Sequence, residues 1–272
     1  MPIYKEHYVA FLDILGFKTL LKTTSCEEIY SIFEVLHKKT HAKLNQNGVE
    51  IQAFNHIKHT ILSNSIIVYI ESDIEDAFAA LIHVCKQLQF SLANRGKPIL
   101  LRGGIAIGDL FYENDIIYGN GLASAYLLEN NLAKYPRIVF SGDTLDKGLQ
   151  NTKYMFVDME GIIRPYKEDD DALFYIDYLF PDFCNTNELI KYFDALIKEC
   201  NFFLNQAIDQ NLREKYIWLK SKIEKARRVN SSVAKHYDKM DAEKHEKWLD
   251  EYNSRFSIYQ QQLQVEAHIE KE

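Results

Sequence analysis

The stretch Tyr8-Val9-Ala10-Phe11-Leu12-Asp13-Ile14-Leu15-Gly16-Phe17 decides the fold. It is a compact apolar run of strand formers, broken once by an acid and ended by a glycine. An unpaired carboxylate is expensive to bury, so Asp13 needs a reason to stand there. At the C-terminal end of a strand, ahead of a glycine turn, it suits a ligand to a divalent cation. Gly16 would let the backbone approach phosphates, and the following helix would offer them N–H groups and its positive end. The competing role is a cap for the helix that starts near Phe17.

Outward from this run, residues 17–46 carry helical spacing (Phe17, Leu20, Leu21, Ile29, Ile32, Phe33, Leu36), and Asn45 to Gly48 form a turn signal. Residues 49–61 and 65–70 read as strands, with Leu62-Ser63-Asn64 as a tight hairpin between them. Residues 74–93 form an amphipathic helix, 99–107 and 109–118 strands joined near Gly108, 119–132 a helix and 137–140 a strand. The resulting β-α-β-β-α-β plan is the split βαβ of ferredoxin-like folds. Helices gathered on one face of a largely antiparallel sheet make the expected class α+β. Past Pro181 the character changes. Residues 186–229 and 238–268 read as polar helices studded with aromatics, Trp218 and Trp248 among them, and separated by Asn230-Ser231-Ser232. The expected division is a domain over 1–180 and a helical extension over 181–272.

In a palm-like sheet the hairpin lies beside the first strand, and its tip, Asn64, approaches Asp13. There Asn64 either lends a carbonyl oxygen to a cation or is an ordinary turn residue. In Ile99-Leu100-Leu101-Arg102-Gly103-Gly104-Ile105 the glycines mark a bulge or a close backbone approach. Arg102 meets either a phosphate or a surface carboxylate. Glu129 has no evident partner.

Composition narrows the class. The 272 residues are 47% hydrophobic, ample for a core, and the net charge of −7 argues against a nucleic-acid surface. No apolar run approaches the roughly 20 residues of a membrane helix. The opening run reads as a strand and not a signal peptide. Four cysteines without C-x-x-C spacing suit free thiols in the cytoplasm. His37 and His41 stand at helical spacing among lysines, which suits a solvated face.

Three stretches together resemble the class III nucleotidyl cyclases. Phe11-Leu12-Asp13-Ile14-Leu15-Gly16-Phe17 matches the family's opening F-x-D-I-x-G-F. Arg102-Gly103-Gly104-Ile105-Ala106-Ile107-Gly108 matches its R-x-G-I-x-x-G strand. Gly119-Asn120-Gly121-Leu122-Ala123-Ser124-Ala125 follows its dimer-facing helix loosely. The match spans about residues 8 to 140. Within the superfamily, D-I-L-G-F, the S-x-S hairpin and Ala125-Tyr126-Leu127-Leu128-Glu129 are similar to the pyrimidine cyclases of the Pycsar antiphage systems.

That resemblance implies a homodimer with composite sites, turning UTP or CTP into a 3′,5′-cyclic nucleotide and pyrophosphate, with uracil favoured because cyclic UMP is the commoner product. It implies a two-metal site for Mg²⁺ or Mn²⁺ built from Asp13, the Ile14 carbonyl and Asn64. Backbone amides of Leu15, Gly16 and Phe17 would cradle the triphosphate, Arg102 would meet a phosphate, and Thr60 would sit near the base. Thr60 stands where purine cyclases carry a base-reading Lys or Glu, and Ala123 and Leu127 stand where they carry a transition-state Asn and Arg. Asn64 replaces the family's second metal aspartate. It implies a form that is weakened or inactivated by design, or a non-catalytic nucleotide-binding or scaffolding dimer. A further reading gives the C-terminal helices a docking role through the faces around Trp218 and Trp248.

Overall fold

A computed structural model of the protein describes residues 3–40, 45–46, 49–152, 166–180, 186–206 and 208–237. The apolar opening run is β1 (Lys5–Ile14). After it come α1 (Phe17–Thr23), α2 (Cys26–Thr40), the two-residue strands β2 (Asn45–Gln46) and β3 (Val49–Glu50), a short 3₁₀ turn, and β4 (Lys58–Leu62). Then follow β5 (Ser65–Glu71), α3 (Ala77–Ala93), β6 (Leu101–Glu113), β7 (Ile116–Tyr118), α4 (Asn120–Asn131), β8 (Ile138–Phe140) and α5 (Gly142–Gln150). The remaining elements are β9 (Tyr166–Glu168), β10 (Phe174–Ile176), α6 (Thr186–Leu204) and α7 (Gln210–Tyr237).

The main sheet runs β4-β5-β1-β6-β8-β10-β9, with β7 paired to β6. β1 is central and antiparallel to both neighbours, β5 and β6. The order of the first four of these strands is that of the split βαβ plan, and the mixed architecture is α+β as expected. The helices are not all on one face. Alternation along β1 sends Tyr8, Ala10, Leu12 and Ile14 into the main core with Ile32, the α3 side chains and Leu145. Val9 and Phe11 point to the other face, where Ala125, Leu122 and Leu128 of α4 cover them. Asp13 shares that second face by the same alternation.

The strand read over 49–61 is split, because a 3₁₀ turn over Gln52–His56 buries Ala53 and Phe54 between β3 and β4, and three further boundaries differ from the sequence reading. The helical pattern over 17–46 breaks at Thr24–Ser25, where Ser25 and Glu28 form a reciprocal capping box: the Glu28 N–H donates to Ser25 Oγ at 3.2 Å and the Ser25 N–H to Glu28 Oε2 at 3.3 Å. Strand β6 passes straight through Gly108 and turns only at Asn114-Asp115, both at positive φ (50° and 65°) as a two-residue hairpin loop demands. Gly108 is there for packing: a Cβ on it would lie 2.6 Å from Asn120 Oδ1 and 3.0 Å from the Gly121 amide nitrogen. The third difference is at the end of the chain, where α7 continues as helix through Asn230-Ser231-Ser232 and the break falls between α6 and α7 instead. The helix expected over 238–268, with Trp248, lies outside the described residues.

Contacts gather residues 1–226 into one unit and 227–272 into another, of which 227–237 is described, as helix. Within the first unit, α6 and α7 bury Tyr192, Phe193, Leu196, Leu219 and Ile223 in a second core with Leu100 and Ala93. A polar cluster fixes α7 further. Arg137, wholly buried, pairs with Asp169 at 2.6 Å and with Asp171. Asp169 also accepts from Trp218 Nε1 at 3.0 Å and Lys222 Nζ at 2.6 Å, and Trp218 stacks on Tyr135 with ring centroids 5.1 Å apart. Burial alone would raise the Asp169 carboxyl, but Lys222, the Asp170 amide and Arg137 outweigh it and hold it below its ordinary value. Trp218 is thus a packed residue within this unit.

Gly104 sets how closely α4 approaches the sheet. A Cβ there would fall on the Ala125 carbonyl oxygen and lie 2.9 Å from the Glu129 amide nitrogen. Backbone cannot yield as a flexible side chain can, so Gly104→Ala is expected to destabilise the fold by about 1–3 kcal/mol. Urea unfolding measures this, and an unchanged midpoint would mean that α4 does not lie against β6 at this distance.

Candidate functional site

Strand register brings the site together. Asp13 pairs with Ser65 on one side and Arg102 on the other, and Ser65 pairs with Leu62. One row thus crosses four strands near the end of β1. The turn Ser63-Asn64 caps the β4–β5 hairpin, with Ser63 at φ 57°. Its second residue folds over the end of β1: the Ile14 N–H donates to the Asn64 carbonyl at 3.2 Å, and Asn64 Nδ2 donates to Asp13 Oδ1. Apposing the amide oxygen to the carboxylate would be repulsive, which fixes this amide orientation.

The other Asp13 oxygen, Oδ2, faces Arg102 Nε at 3.3 Å. Arg102 reaches onward with Nη2 to Glu129 Oε1 of α4, 2.7 Å away. That contact is close but poorly aligned as a hydrogen bond, leaving Glu129 Oε1 without a well-directed donor. The side chains of Asp13, Arg102 and Glu129 are 15%, 23% and 5% exposed, so the chain of charges is largely withdrawn from water. Burial pushes the Glu129 carboxyl above its ordinary value, with the Asp13 charge adding to the rise and Arg102 opposing it. Lys215 of α7 is close enough for Arg102, Asp13 and Glu129 all to act on its charge. Burial pulls its ammonium below the ordinary value, and Arg102 pulls it the same way.

The residues singled out from sequence fall into three groups. Asp13, Ile14, Asn64 and Arg102 are contiguous. Leu15, Gly16 and Phe17 follow directly, but the Leu15 N–H is committed to the Leu100 carbonyl at 2.9 Å, and the Phe17 ring is buried against Phe33. Gly16 occupies the N-cap position of α1 at φ 73°, with no side-chain cap, so Asp13 does not serve as the helix cap. Thr60 faces the same side of the sheet, opposite Ile67, one row further from the strand end. Two participants were not placed at the site from sequence. Glu129 stood out only as an acid with no evident partner, after Leu127 and Leu128. Lys215 carried no signal, because only the tertiary fold brings α7 to this place.

The oxygen donors that could hold a cation are the Asp13 carboxylate, the Asn64 amide carbonyl after a flip, and the Ile14 main-chain carbonyl. Such hard oxygen ligands suit one divalent cation of the Mg²⁺ or Mn²⁺ kind. A two-metal site needs a further carboxylate, and no group of three or more His, Cys, Asp or Glu side chains suited to a metal occurs among the described residues. No helix among the described residues is long and apolar enough to cross a membrane.

No protein-family model matches the chain, and no curated protein matches it. Among solved structures it is similar to the guanylyl cyclase Cya2, at 13% identity and a TM-score of 0.41 over 64% of this chain and 92% of that one. It is also similar to an adenylate/guanylate cyclase/hydrolase from Silicibacter pomeroyi, at 15% and 0.42 over 66% and 99%. A bacterial light-regulated adenylyl cyclase gives 14% and 0.37 over 65% and 92%.

Arg102 lies between two acids, so its loss leaves both without their nearest cation. Arg102→Met is expected to cost on the order of 2 kcal/mol at neutral pH. The folded state already binds the Glu129 proton more tightly than the unfolded chain, whose carboxyl keeps the ordinary value of 4.5. Stability therefore falls as pH rises from 4.5 through the folded-state value, and more steeply without Arg102. Urea unfolding across that window should show the variant's deficit shrinking as the pH is lowered; a deficit equal at every pH would disprove the coupling.

Proposed function

We propose that this chain is a nucleotidyl cyclase acting on UTP, or alternatively CTP, to form a 3′,5′-cyclic nucleotide and pyrophosphate. The observation that carries the reading is the contact of Asp13 with Asn64 at the end of β1, with Arg102 across the strand. A carboxylate, an amide and a guanidinium held on one sheet face, at the mouth of a glycine turn, suit the handling of a nucleoside triphosphate. The ribose 3′-oxygen attacks the α-phosphorus, and the bond from that phosphorus to the pyrophosphate oxygen breaks.

Asp13, the Ile14 carbonyl and Asn64 would hold the divalent cation. When bound, that cation neutralises triphosphate charge and polarises the attacking hydroxyl. The chain's own share is positioning and charge. Arg102 offers a planar fork of donors to a phosphate, at the expense of its contacts with Asp13 and Glu129. The amides of Gly16 and Phe17 open α1 and would face the polyphosphate, while Leu15 would contribute only its place in the turn. Thr60, with one donor and two acceptor positions on its hydroxyl, suits the edge of a pyrimidine. Tyr126 and Leu127 of α4 are exposed, 46% and 52%, and a second copy of the chain would cover them in a homodimer with composite sites. In this reading residues 1–180 are the catalytic domain and 181–272 a helical extension. The protein works in the cytoplasm, and its product serves as an antiphage signal.

A second reading has its own support. Asn64 and Arg102 between them occupy both Asp13 oxygens, which suits a dimer that binds nucleotide without turning it over.

One assay separates the two. The protein and its Asn64→Asp and Asp13→Ala variants are incubated with each of the four nucleoside triphosphates and Mn²⁺. Cyclic UMP or cyclic CMP is expected from the native chain, roughly tenfold more from Asn64→Asp, and roughly 100-fold less from Asp13→Ala. Nucleotide binding without cyclic product in either of the first two would favour the second reading. Neither binding nor product would sink both.

A further inference from the structure

Beside Arg102, on the side away from the hairpin, a cleft of about 560 Å³ opens between the end of α4 and the start of α7. Its lining includes Arg102, Lys134 and Lys215, with Asn131 and Gln210 as neutral donors and Glu214 as its acid. Glu214 is matched by Lys134 at 2.5 Å, and Arg102 is shared between Asp13 and Glu129. Lys215 is different. Among the described residues it has no ion-pair partner, although it is partly withdrawn from water.

We infer that the cleft receives the polyphosphate tail of the nucleotide, and that Lys215 of α7 is the cation that binds it. The inference rests on the nucleotide reading above and extends it to a residue beyond position 180. A half-buried ammonium with no carboxylate in direct contact is costly, and a polyanion lowers that cost on binding. Burial and the Arg102 charge depress the Lys215 ammonium, and Asp209, Asp13 and Glu129, none of them in ion-pair contact, offset this only in part.

The sheet supplies the direction. Thr60 is on β4, Asn64 on the adjoining hairpin, Asp13 on β1, and Arg102 on β6, in that order across the sheet. Strands about 4.8 Å apart spread this set over roughly 14 Å from β4 to β6, comparable to an extended nucleoside triphosphate. With the base near Thr60 and the α-phosphate between Asp13 and the α1 amides, the terminal phosphates run past Arg102 into the cleft. Lys134 and its partner Glu214 stand on the cleft wall, where opening of that exposed pair would free a further ammonium.

The test titrates inorganic tripolyphosphate, UTP and UMP into the full chain by calorimetry, without added metal. Lys215→Met, which keeps the aliphatic stem and removes the charge, should weaken tripolyphosphate and UTP by roughly tenfold and leave UMP nearly unchanged. Lys225→Met, on an exposed position of the same helix, should change nothing. In the unmodified protein, acylation footprinting read by mass spectrometry should find Lys215 reactive alone and protected by tripolyphosphate, so the outcome does not hang on how a variant folds. Native affinity in Lys215→Met, or no tripolyphosphate binding and no protection in the native chain, would overturn the inference. Cyclisation with an unchanged KM in Lys215→Met would reject the cleft and keep the enzyme. Lys215-dependent binding with no cyclic product in the native chain or in Asn64→Asp would reject the enzyme and keep the cleft.

Discussion

β1 is hydrogen-bonded on both sides, so the backbone at Asp13 has no freedom to swing its carboxylate into water. Burying such a charge costs several kcal/mol unless partners meet it at close range. The partners come from the two neighbouring strands: Asn64 from the hairpin that follows β4, and Arg102 from the facing position of β6. Arg102 is in turn tied to Glu129, and Glu129 reaches it because Gly104 allows α4 to lie directly on β6. A missing side chain in one strand therefore decides where a carboxylate on a helix can stand. The charge chain and the packing of α4 are one arrangement.

Charge balance gives Asn64 a physical meaning. Asp13 and Glu129 are matched in number by Arg102 and Lys215, so the amide leaves the region close to neutral. An aspartate at position 64 would add a negative charge against Asp13 and leave an excess that a divalent cation is suited to cancel. The amide instead donates to Asp13 and adds no charge of its own.

Much of this was legible in the sequence, because local chemistry and fold agreed there. The apolar run to Asp13, the glycine turn and the short hairpin loop each follow from nearest neighbours in the chain. Glycine was one source of error. Gly108 reads as punctuation between strands, yet its role is to admit Asn120 and Gly121 of α4, a contact with residues not adjacent in sequence. The turn is made by Asn114-Asp115, whose tolerance of positive φ is itself a readable signal. Ser25 and Glu28, spaced as a capping box, likewise announced the break between α1 and α2. No local pattern could have joined Lys215 to Arg102, since that proximity is made by α7 docking. The same holds for Arg137, Asp169 and Trp218, which are far apart in the chain and meet only in the folded core.

The cluster around Asp169 also orders events in time. Of its side-chain donors, Arg137 is made before it on the ribosome, while Trp218 and Lys222 follow 49 and 53 residues later. A nascent chain that has released residue 169 still lacks the helix that completes the cluster. The same helix carries Lys215, so a truncated product ending before it would lack both the clasp and the ammonium. Synthesis itself thus withholds the finished polar face until nearly all of the first unit has emerged.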